Sequence, residues 1–350
     1  MSLNNDEILP LFMYAMSNKS ITFFICSLGS GGAEHQLTML ANFLSEKGYG
    51  VTITTFAGDT DHYAVDGGVG RVRLGVHKGK MGQLCDIIRY FLTLKTDVVI
   101  AFGQRESVFA LLPLLFRRRI KVISGDRNFT IGKPSFWERL LMSFLHKRSD
   151  FIVPNSFSQA RHIQKVEPTL TCKIRVITNF TDTDKFRQHS YTPNDHVRLC
   201  VLCRYHNQKN GLRFIEAIRI VKSKINVPFV VEWYGNKTFK NKEVNEYYVR
   251  MQRLVEQYGL CDCVRLNHHV KNVVELLPTF DATILPSIYE GFSNSISEAI
   301  CCGRPMLVSD VSDNGVMVHN GENGYLFNPL DVNDMADAIC KFLSLRREER

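Results

Sequence analysis

Two glutamates eight positions apart, Glu290 and Glu298, lie where a buried strand is predicted to lead into a helix. The strand is predicted at 281–285 and the helix at 293–302, because an apolar run ends at Pro286 and small polar residues follow. The turn between them offers free backbone N–H groups and the positive end of a helix dipole, which suit an anionic ligand. Two acids beside such a turn indicate a ligand that also carries sugar hydroxyl groups.

Each glutamate also has a purely structural interpretation. The segment from Ser295 to Glu298 fits a capping box, in which Glu298 reaches back to a backbone N–H group. Glu290, taken alone on a turn, would be a solvated loop acid. The spacing by itself leaves both interpretations open.

A second set of charged residues follows the first predicted strand of the C-terminal half. Arg204 and Lys209 lie five residues apart in the segment 203–211, and a loop of this length returns both cations toward the next helix start. A departing nucleoside diphosphate gathers negative charge, and hydrogen bonds from Arg or Lys to charged groups contribute roughly 1.5–3 kcal/mol each. The pair therefore predicts a diphosphate site, although either residue alone fits a surface charge.

The sequence around the two glutamates resembles a known family. The resemblance is carried by Pro286-Ser287, Glu290-Gly291-Phe292, Glu298-Ala299, Gly303-Arg304-Pro305 and Asn323-Gly324-Tyr325-Leu326. This pattern is similar to that of the retaining glycosyltransferases of family 4, which have the GT-B fold and an E-x7-E signature. The resemblance covers residues 20–345. It implies an α/β protein of two Rossmann-like parallel-sheet domains that face a cleft.

The resemblance also implies roles for single residues. Glu298 would bond the ribose hydroxyl groups, and Glu290 would contact the donor sugar, either as a nucleophile or only electrostatically in a front-side ion-pair route. Arg204 and Lys209 match the family's diphosphate-binding pair, with Cys203 in place of its usual glycine. Other donor-binding candidates are Gly291, Phe292, Ser293 and Asn294, together with His269 and Val270 beside the base, where His268 replaces a glycine.

The first half contributes a glycine loop and a polar strand end. Gly31 and Gly32 suggest a dinucleotide turn, but Glu34 stands at its third glycine and would repel pyrophosphate, which argues against a nicotinamide cofactor. The loop instead resembles the first loop of family 4, which faces the donor phosphate and the acceptor, so Gly31 and Gly32 are further donor-binding candidates. Many relatives have a histidine after the fifth strand. The acceptor or sugar candidates here are Asp126, Arg127, Asn128 and Gln104, with a local salt bridge as the alternative.

Strand and helix patterns alternate along the chain, which predicts parallel sheets covered on both faces. Further helices are predicted at 33–46 and 332–345. Strands are predicted at 21–27, 51–56, 97–102, 120–124, 151–154 and 174–177, then at 197–203, 229–234, 263–267, 281–285, 305–308 and 325–327. The predicted order of domains is an N-terminal extension (1–19), an acceptor-binding domain (20–178), a linker (179–196) and a donor-binding domain (197–350). Relatives usually continue into a further helix, so a chain truncated at Arg350 is expected.

The composition is that of a large globular enzyme of the cytoplasm. The 350 residues are 45% apolar and 22% charged, enough for two domains of roughly 150–190 residues. No apolar run reaches the roughly 18 residues that span a bilayer, and the start lacks a basic n-region. Among the ten cysteines, Cys200 and Cys203 form a C-x-x-C inside a predicted strand, where their sulfurs diverge. Reduced core thiols are therefore expected.

The net charge of +8 indicates an anionic partner or an anionic surface. Basic segments at 116–121 and 145–148 adjoin an amphipathic stretch at 136–144. This helix would either rest on the anionic inner face of the cytoplasmic membrane or face the core with solvated ends. Nucleic acid is a poorer partner because no recognised nucleic-acid motif accompanies the charge.

Two further segments bear on metal dependence. Residues 59–61 and 182–184 match D-x-D, a metal-diphosphate signature of another glycosyltransferase architecture, but neither follows a buried strand closely. With Arg204 and Lys209 supplying charge, no metal or other cofactor is expected.

The sequence thus predicts a metal-independent retaining glycosyltransferase of polysaccharide, O-antigen or capsule biosynthesis. It would move a hexose or N-acetylhexosamine from a nucleotide sugar, expected to be UDP-linked, to a glycan or lipid-linked oligosaccharide. Two alternatives are a GT-B nucleotide-sugar epimerase and a non-catalytic donor-binding subunit. The presence of both Glu290 and Arg204 favours the enzyme over the subunit.

Overall fold

The computed structural model describes most of the chain. The described residues are 19–29, 31–57, 61–75, 79–115, 117, 119–126, 144–188, 196–237, 242–270 and 272–346. The chain divides into two compact units at the boundary between Thr178 and Asn179. Residues 179–188, at the start of the predicted linker, belong to the second unit.

The first unit contains a six-stranded sheet in which every pair of neighbours is parallel. The strands are β1 (Ser20–Ile25), β2 (Gly50–Thr55), β3 (Gly70–Arg73), β4 (Val98–Phe102), β5 (Lys121–Asp126) and β6 (Phe151–Pro154). Their spatial order is β3-β2-β1-β4-β5-β6. The labelled helices are α1 (Gly32–Glu46), α2 (Lys80–Thr93), α3 (Gln104–Leu114) and α4 (Phe157–Val166), followed by a 3-10 helix at Pro168–Lys173.

The second unit repeats this plan with another six-stranded parallel sheet. Its strands are β7 (Val197–Leu202), β8 (Phe229–Gly235), β9 (Val264–His268), β10 (Ala282–Leu285), β11 (Met306–Ser309) and β12 (Gly324–Phe327). The spatial order is β12-β11-β10-β7-β8-β9. Its helices are α5 (Gly211–Lys224), α6 (Lys242–Gln257), α7 (Val273–Leu276), α8 (Asn294–Cys301), α9 (Asn314–Met317) and α10 (Val332–Leu343), with 3-10 helices at Asn207–Lys209 and Leu277–Thr279.

The central strands are buried on both faces, because helices cover both sides of a parallel sheet. In the first unit, Phe23 and Phe24 on β1 point to opposite faces and join two different apolar clusters. In the second unit, Trp233 on β8 packs beside Phe214 of α5 and Tyr205. These two doubly covered sheets confirm the predicted α/β class.

The strand order reverses at one position in each sheet. In the first sheet the reversal lies between β1 and β4, and in the second between β7 and β10. Open parallel sheets bind ligands outside the carboxyl ends of their strands at this position. The loops that follow these four strands contain or adjoin Gly31, Gln104, Lys209 and Glu290.

Two strand predictions differ from the structure. The sequence did not predict β3, because its four residues include a glycine and two arginines and show no apolar alternation. The segment 174–177 was predicted as a strand but forms only one bridge, between Ile174 and Ile152. Its N–H groups at Arg175 and Ile177 do reach carbonyls of β6 at 3.0 and 3.2 Å. Pro154 has no N–H group to return, so a regular ladder cannot continue.

Candidate active site

Lys209 and Glu290 form an ion pair at the carboxyl edge of the second sheet. Lys209 ends the 3-10 helix after β7, and Glu290 lies in the loop after β10. The Lys209 Nζ donates to Glu290 Oε1, and the two side chains are only 14% and 10% exposed. Two residues that the sequence placed in one site are therefore in contact. Glu290 is not the solvated loop acid of the structural alternative.

Gln208 fastens the two loops to each other next to this ion pair. The N–H group of Ile288 donates to the Gln208 carbonyl at 2.8 Å, and Gln208 Nε2 donates to the Tyr289 carbonyl at 2.9 Å. Asn210, in a left-handed conformation, donates through Nδ2 to the Pro329 carbonyl at 2.7 Å. These contacts place the ammonium against the carboxylate, and neither Gln208 nor Asn210 was predicted as a site residue from the sequence.

Arg204 lies in the same β7 loop but is exposed. Its guanidinium makes no hydrogen bond or ion pair with the residues that the structure describes. The neighbouring Cys203 thiol reports on its surroundings, because burial raises its pKa to about 12, while positive charge on Lys209 and Arg204 lowers the pKa and negative charge on Glu290 raises it. The three charges thus all act on the Cys203 thiol, and the Arg204 donors remain available to a ligand.

Glu298 lies on the second turn of α8 and is partly exposed. Across the described ranges its carboxylate has no hydrogen-bond or ion-pair partner, and burial raises its pKa to about 7. The capping-box alternative is wrong, because the helix begins at Asn294 and its N-cap position is Ser293, not Ser295. The Ser293 hydroxyl meets the Ser295 hydroxyl at 2.9 Å and caps no backbone N–H group. A partly buried carboxylate without a described protein donor suits a ligand that brings hydroxyl donors.

The turn before α8 is held by the first residue of the second unit. Asn179 Nδ2 donates to Asn294 Oδ1 at 2.7 Å and to the Phe292 carbonyl at 3.4 Å. Two residues on, the Thr181 hydroxyl donates to Ser297 Oγ at 2.8 Å. The segment that enters this unit is therefore bonded to the helix that carries Glu298.

We expect the Thr181–Ser297 bond to appear in a double-mutant cycle. Thr181→Val and Ser297→Ala should each lower the free energy of unfolding, with a coupling of about 0.5–1 kcal/mol between them, because either change removes the same bond. Urea denaturation of the four proteins measures the coupling. Thr171→Val, in the first unit, is the control and should add to Ser297→Ala. Additive effects of Thr181→Val and Ser297→Ala would contradict the prediction.

The predicted base-binding residues lie at the same edge of the second sheet. His269 and Val270 directly follow β9, with His269 exposed and Val270 half-buried. The Tyr205 hydroxyl donates to the Asn267 carbonyl at 2.7 Å and so ties the β7 loop to the end of β9. His269 and Val270 thus lie two and three positions after a residue that the β7 loop contacts.

A concavity of about 370 Å³ opens elsewhere in the second unit. His196, Phe229 and Cys263 are among its lining residues, so it lies at the amino ends of β7, β8 and β9. No predicted site residue lines it. Ligands of open parallel sheets bind at the carboxyl ends, so this concavity is not the candidate site.

In the first unit, the glycine loop and the polar strand end occupy the carboxyl edge. Gly31 caps α1, and a side chain there would collide with the Glu34 carboxylate, which folds back over it; Gly32 is the first helical residue. Asp126 ends β5 and is buried, and its Oδ2 accepts from Gln104 Nε2 at 3.1 Å and from Gln159 Nε2 at 2.9 Å. Gln159 was not predicted from the sequence. Arg127 and Asn128 lie outside the described residues.

The basic and D-x-D segments have local partners where they are described. Arg148 Nη2 donates to the Arg117 and Ile120 carbonyls at 3.1 and 3.2 Å, close to the end of α3. Asp61 pairs with Arg71 at 2.7 Å, and Asp182 pairs with Lys185 at 2.9 Å. Residues 58–60, 116, 118 and 127–143, which include most of the amphipathic stretch, lie outside the described residues. Among described helices, none combines the length and apolarity needed to cross a bilayer.

The cysteines are all free thiols. Cys200 is buried in β7 and Cys203 directly follows the strand. Among the described residues, no group of three or more His, Cys, Asp and Glu side chains could hold a metal ion. The expectation of core thiols is wrong for Cys85, Cys172 and Cys261, which are exposed.

Two family models match the chain, one mainly in the first unit and one in the second. Residues 30–185 match the model described as Glycosyltransferase Family 4, and residues 196–344 match the model described as Glycosyl transferases group 1. Together the two matches cover most of the sequence.

Individual proteins are also similar. An uncharacterized glycosyltransferase of Methanocaldococcus jannaschii is 22% identical over 73% of this chain and 63% of its own length. The UDP-Gal:alpha-D-GlcNAc-diphosphoundecaprenol alpha-1,3-galactosyltransferase of Escherichia coli is 27% identical over 38% of this chain and 33% of its own. The chain thus spans between a third and two thirds of the length of these relatives.

One solved structure shows the same fold over nearly the whole chain. Anabaena Alr3699/HepE in complex with UDP and glucose superposes with a TM-score of 0.75. It is 17% identical and covers 95% of this chain and 91% of the Anabaena chain.

Proposed function

Because this chain belongs to the group 1, family 4 glycosyltransferases and has their GT-B fold, we propose that it is a retaining hexosyltransferase. It moves a hexose or N-acetylhexosamine from a UDP-sugar to a glycan or lipid-linked acceptor. No metal takes part, because Arg204 and Lys209 supply the positive charge that the departing diphosphate needs.

The observation that carries this proposal is the buried Lys209–Glu290 ion pair, at the carboxyl edge where the strand order of the second sheet reverses. A nucleoside diphosphate at this edge meets Lys209 and the donors of Arg204, which have no partner among the described residues. Negative charge grows on the leaving diphosphate as the sugar bond breaks, and fixed cations stabilise that charge more in the transition state than in the ground state. This difference lowers the barrier to sugar transfer.

Glu290 and Glu298 divide the recognition of the donor between them. Glu298, with a carboxylate that lacks a described protein donor, accepts hydrogen bonds from the ribose hydroxyl groups. Glu290, held by Lys209, presents its charge to the donor sugar and stabilises positive charge at the anomeric carbon. Backbone N–H groups of Gly291, Phe292 and Ser293 contact sugar hydroxyls or phosphate from the turn before α8, and Asn294 supports that turn.

The choice of donor and acceptor is supported by similar proteins. The Anabaena structure contains UDP and glucose, and the Escherichia coli relative is named for a UDP-galactose donor and a diphosphoundecaprenol-linked acceptor. We place this chain in polysaccharide biosynthesis at the cytoplasmic face of the membrane. Gln104, Asp126, Arg127 and Asn128 are then the acceptor or sugar candidates of the first unit, and Gly31 and Gly32 contact the donor.

A donor panel tests the proposal. UDP-glucose, UDP-galactose and their N-acetylamino forms are compared by thermal shift and then by release of UDP with a lipid-linked saccharide acceptor. We expect one donor to raise the melting temperature and to support turnover that persists in EDTA, with the sugar in its original anomeric configuration by NMR. Absence of turnover with every nucleotide sugar, loss of activity in EDTA, or an inverted product would refute the corresponding part.

Arg204 gives a test that separates the diphosphate from the nucleoside. We expect Arg204→Ala to raise the Kd for UDP by about 10- to 100-fold, because the variant loses charge-assisted bonds to phosphate. The Kd for uridine should change less than about twofold, because uridine has no phosphate. Isothermal titration calorimetry measures both. Arg219→Ala serves as the control. It removes another exposed arginine, whose guanidinium lies over the ring of Tyr258, the residue directly after α6. Equal losses for UDP and uridine would place Arg204 elsewhere.

A further inference from the structure

Backbone strain is concentrated beside the Lys209–Glu290 ion pair. Of the residues that the structure describes, only Asn210 and Ser312 are non-glycine residues with positive φ, at 59° and 54°. The left-handed region favours glycine, because a Cβ atom crowds the following carbonyl there. Asn210 directly follows Lys209, and Ser312 contacts Glu290. Strained residues persist only where their surroundings fix them, and they often mark functional sites.

The Ser312 hydroxyl binds both backbone polar groups of Glu290. It donates to the Glu290 carbonyl, and it accepts from the Glu290 N–H group at 3.3 Å. Ser312 lies in the loop after β11, three residues beyond the strand. One hydroxyl group from a third loop therefore forms hydrogen bonds with both the carbonyl and the N–H group of the residue that carries the carboxylate.

Gln208 holds the other side of the same loop. Its carbonyl accepts from Ile288 and its amide donates to Tyr289, so residues 288–290 are bonded to the β7 loop and to the β11 loop. Glu290 itself is buried, with 7% of its surface exposed. The backbone of Glu290 sets where its carboxylate can reach, and the hydrogen bonds from the two loops hold that backbone in place.

Glycine would adopt the Ser312 backbone without strain, but it has no hydroxyl group. We infer that Ser312 is a positioning residue, whose hydroxyl fixes the Glu290 backbone so that the carboxylate meets Lys209 in the geometry that sugar transfer needs. Ser312 acts through Glu290 and does not touch the substrate. This inference rests on the proposed function for its effect on turnover, and on the ion pair alone for its effect on Lys209.

The test uses two variants that remove the hydroxyl and differ in strain. Ser312→Gly relieves the left-handed strain, whereas Ser312→Ala keeps it. We expect kcat to fall about 10- to 100-fold in both, because displacement of a reacting group by about 1 Å has effects of this size. The KM for the donor and the Kd for UDP should change less than about twofold. Ser344→Ala, at the end of α10, is the matched control.

The reactivity of Lys209 gives a measurement that does not depend on activity. Reductive methylation with formaldehyde and cyanoborohydride, read by mass spectrometry, should label Lys209 several-fold faster in Ser312→Gly, because a freed ammonium is more accessible. Lys222 and Lys341 should be labelled at unchanged rates. If the parent protein turns over no nucleotide sugar, the proposed function fails, and the labelling still decides the inference.

Three outcomes would overturn the inference. The first is a kcat of Ser312→Gly within twofold of the parent value. The second is a parallel loss of UDP affinity, kcat and melting temperature, which would show a general structural role. The third is an unchanged labelling rate of Lys209 in both variants.

Discussion

Replacement of Lys209 by methionine should lower the free energy of unfolding by about 3 kcal/mol and abolish sugar transfer. The Glu290 side chain is only 10% exposed, so loss of its cation leaves a buried charge without compensation. Turnover is lost because the same ammonium is proposed to neutralise the departing diphosphate. Urea denaturation and UDP release measure the two effects.

Two controls separate the ion pair from ordinary surface charge. In the double variant Lys209→Met with Glu290→Met, most of the stability should return, because two apolar side chains of similar volume replace a buried ion pair at little cost. Turnover should stay absent. Lys185→Met breaks the Asp182–Lys185 pair, in which the lysine side chain is 71% exposed, and should cost less than about 1 kcal/mol. A Lys209→Met protein as stable as the parent would mean that Glu290 is hydrated.

Replacement of Glu298 by glutamine should stabilise the ligand-free protein at pH 8 and lower its affinity for UDP. Burial raises the pKa of Glu298 from its ordinary value of 4.5 to about 7, so the folded state resists ionisation of this carboxyl. The stability that protonated Glu298 contributes to the folded protein is fully present below pH 4.5 and is lost as the pH rises through 7. The full difference corresponds to roughly 3 kcal/mol, and the partial exposure of Glu298 reduces the expected gain to about 1–2 kcal/mol.

Nucleotide binding should move in the opposite direction. An ionised carboxylate accepts two ribose hydroxyl groups, whereas the glutamine amide accepts with one atom and carries no charge, so the Kd for UDP should rise about 10-fold or more at pH 8. Urea denaturation at pH 4.5 and pH 8 checks the stability effect, and calorimetry checks the affinity. Glu256→Gln, on an exposed face of α6, is the control. A stability gain equal at both pH values would show that ionisation of Glu298 is not its cause.

The sequence predicted the strands of the second sheet because buried parallel strands are continuous apolar runs between turn residues. It did not predict β3, an edge strand with arginines at two of its four positions. It wrongly extended the first sheet at 174–177, where the apolar pattern continues but Pro154 on the neighbouring strand lacks a donor. Local patterns therefore fail where pairing depends on a chemical detail of the partner strand.

The residues of the candidate site were likewise predicted only in part. Lys209 and Glu290 lie 81 residues apart, and their assignment to one site came from motif resemblance, because spacing alone cannot bring them together. Gln208 and Ser312 were missed because both bond to backbone groups, which every residue has and which leave no mark on the sequence. The polar run 312–314 after β11 was the available signal, since it follows a buried strand one place from the reversal.

The position of β7 inside its sheet sets an order of events during biosynthesis. One flank of β7 pairs with β8, beginning at Val197 and Phe229, but the other flank pairs with β10, where Leu199 meets Ala282. A ribosome must therefore add some eighty further amino acids before the second flank is covered. Until then, the backbone N–H and C=O groups on one side of the apolar strand β7 have no partner strand, so the nascent chain is exposed to self-association. Chaperone dependence should therefore peak in this interval.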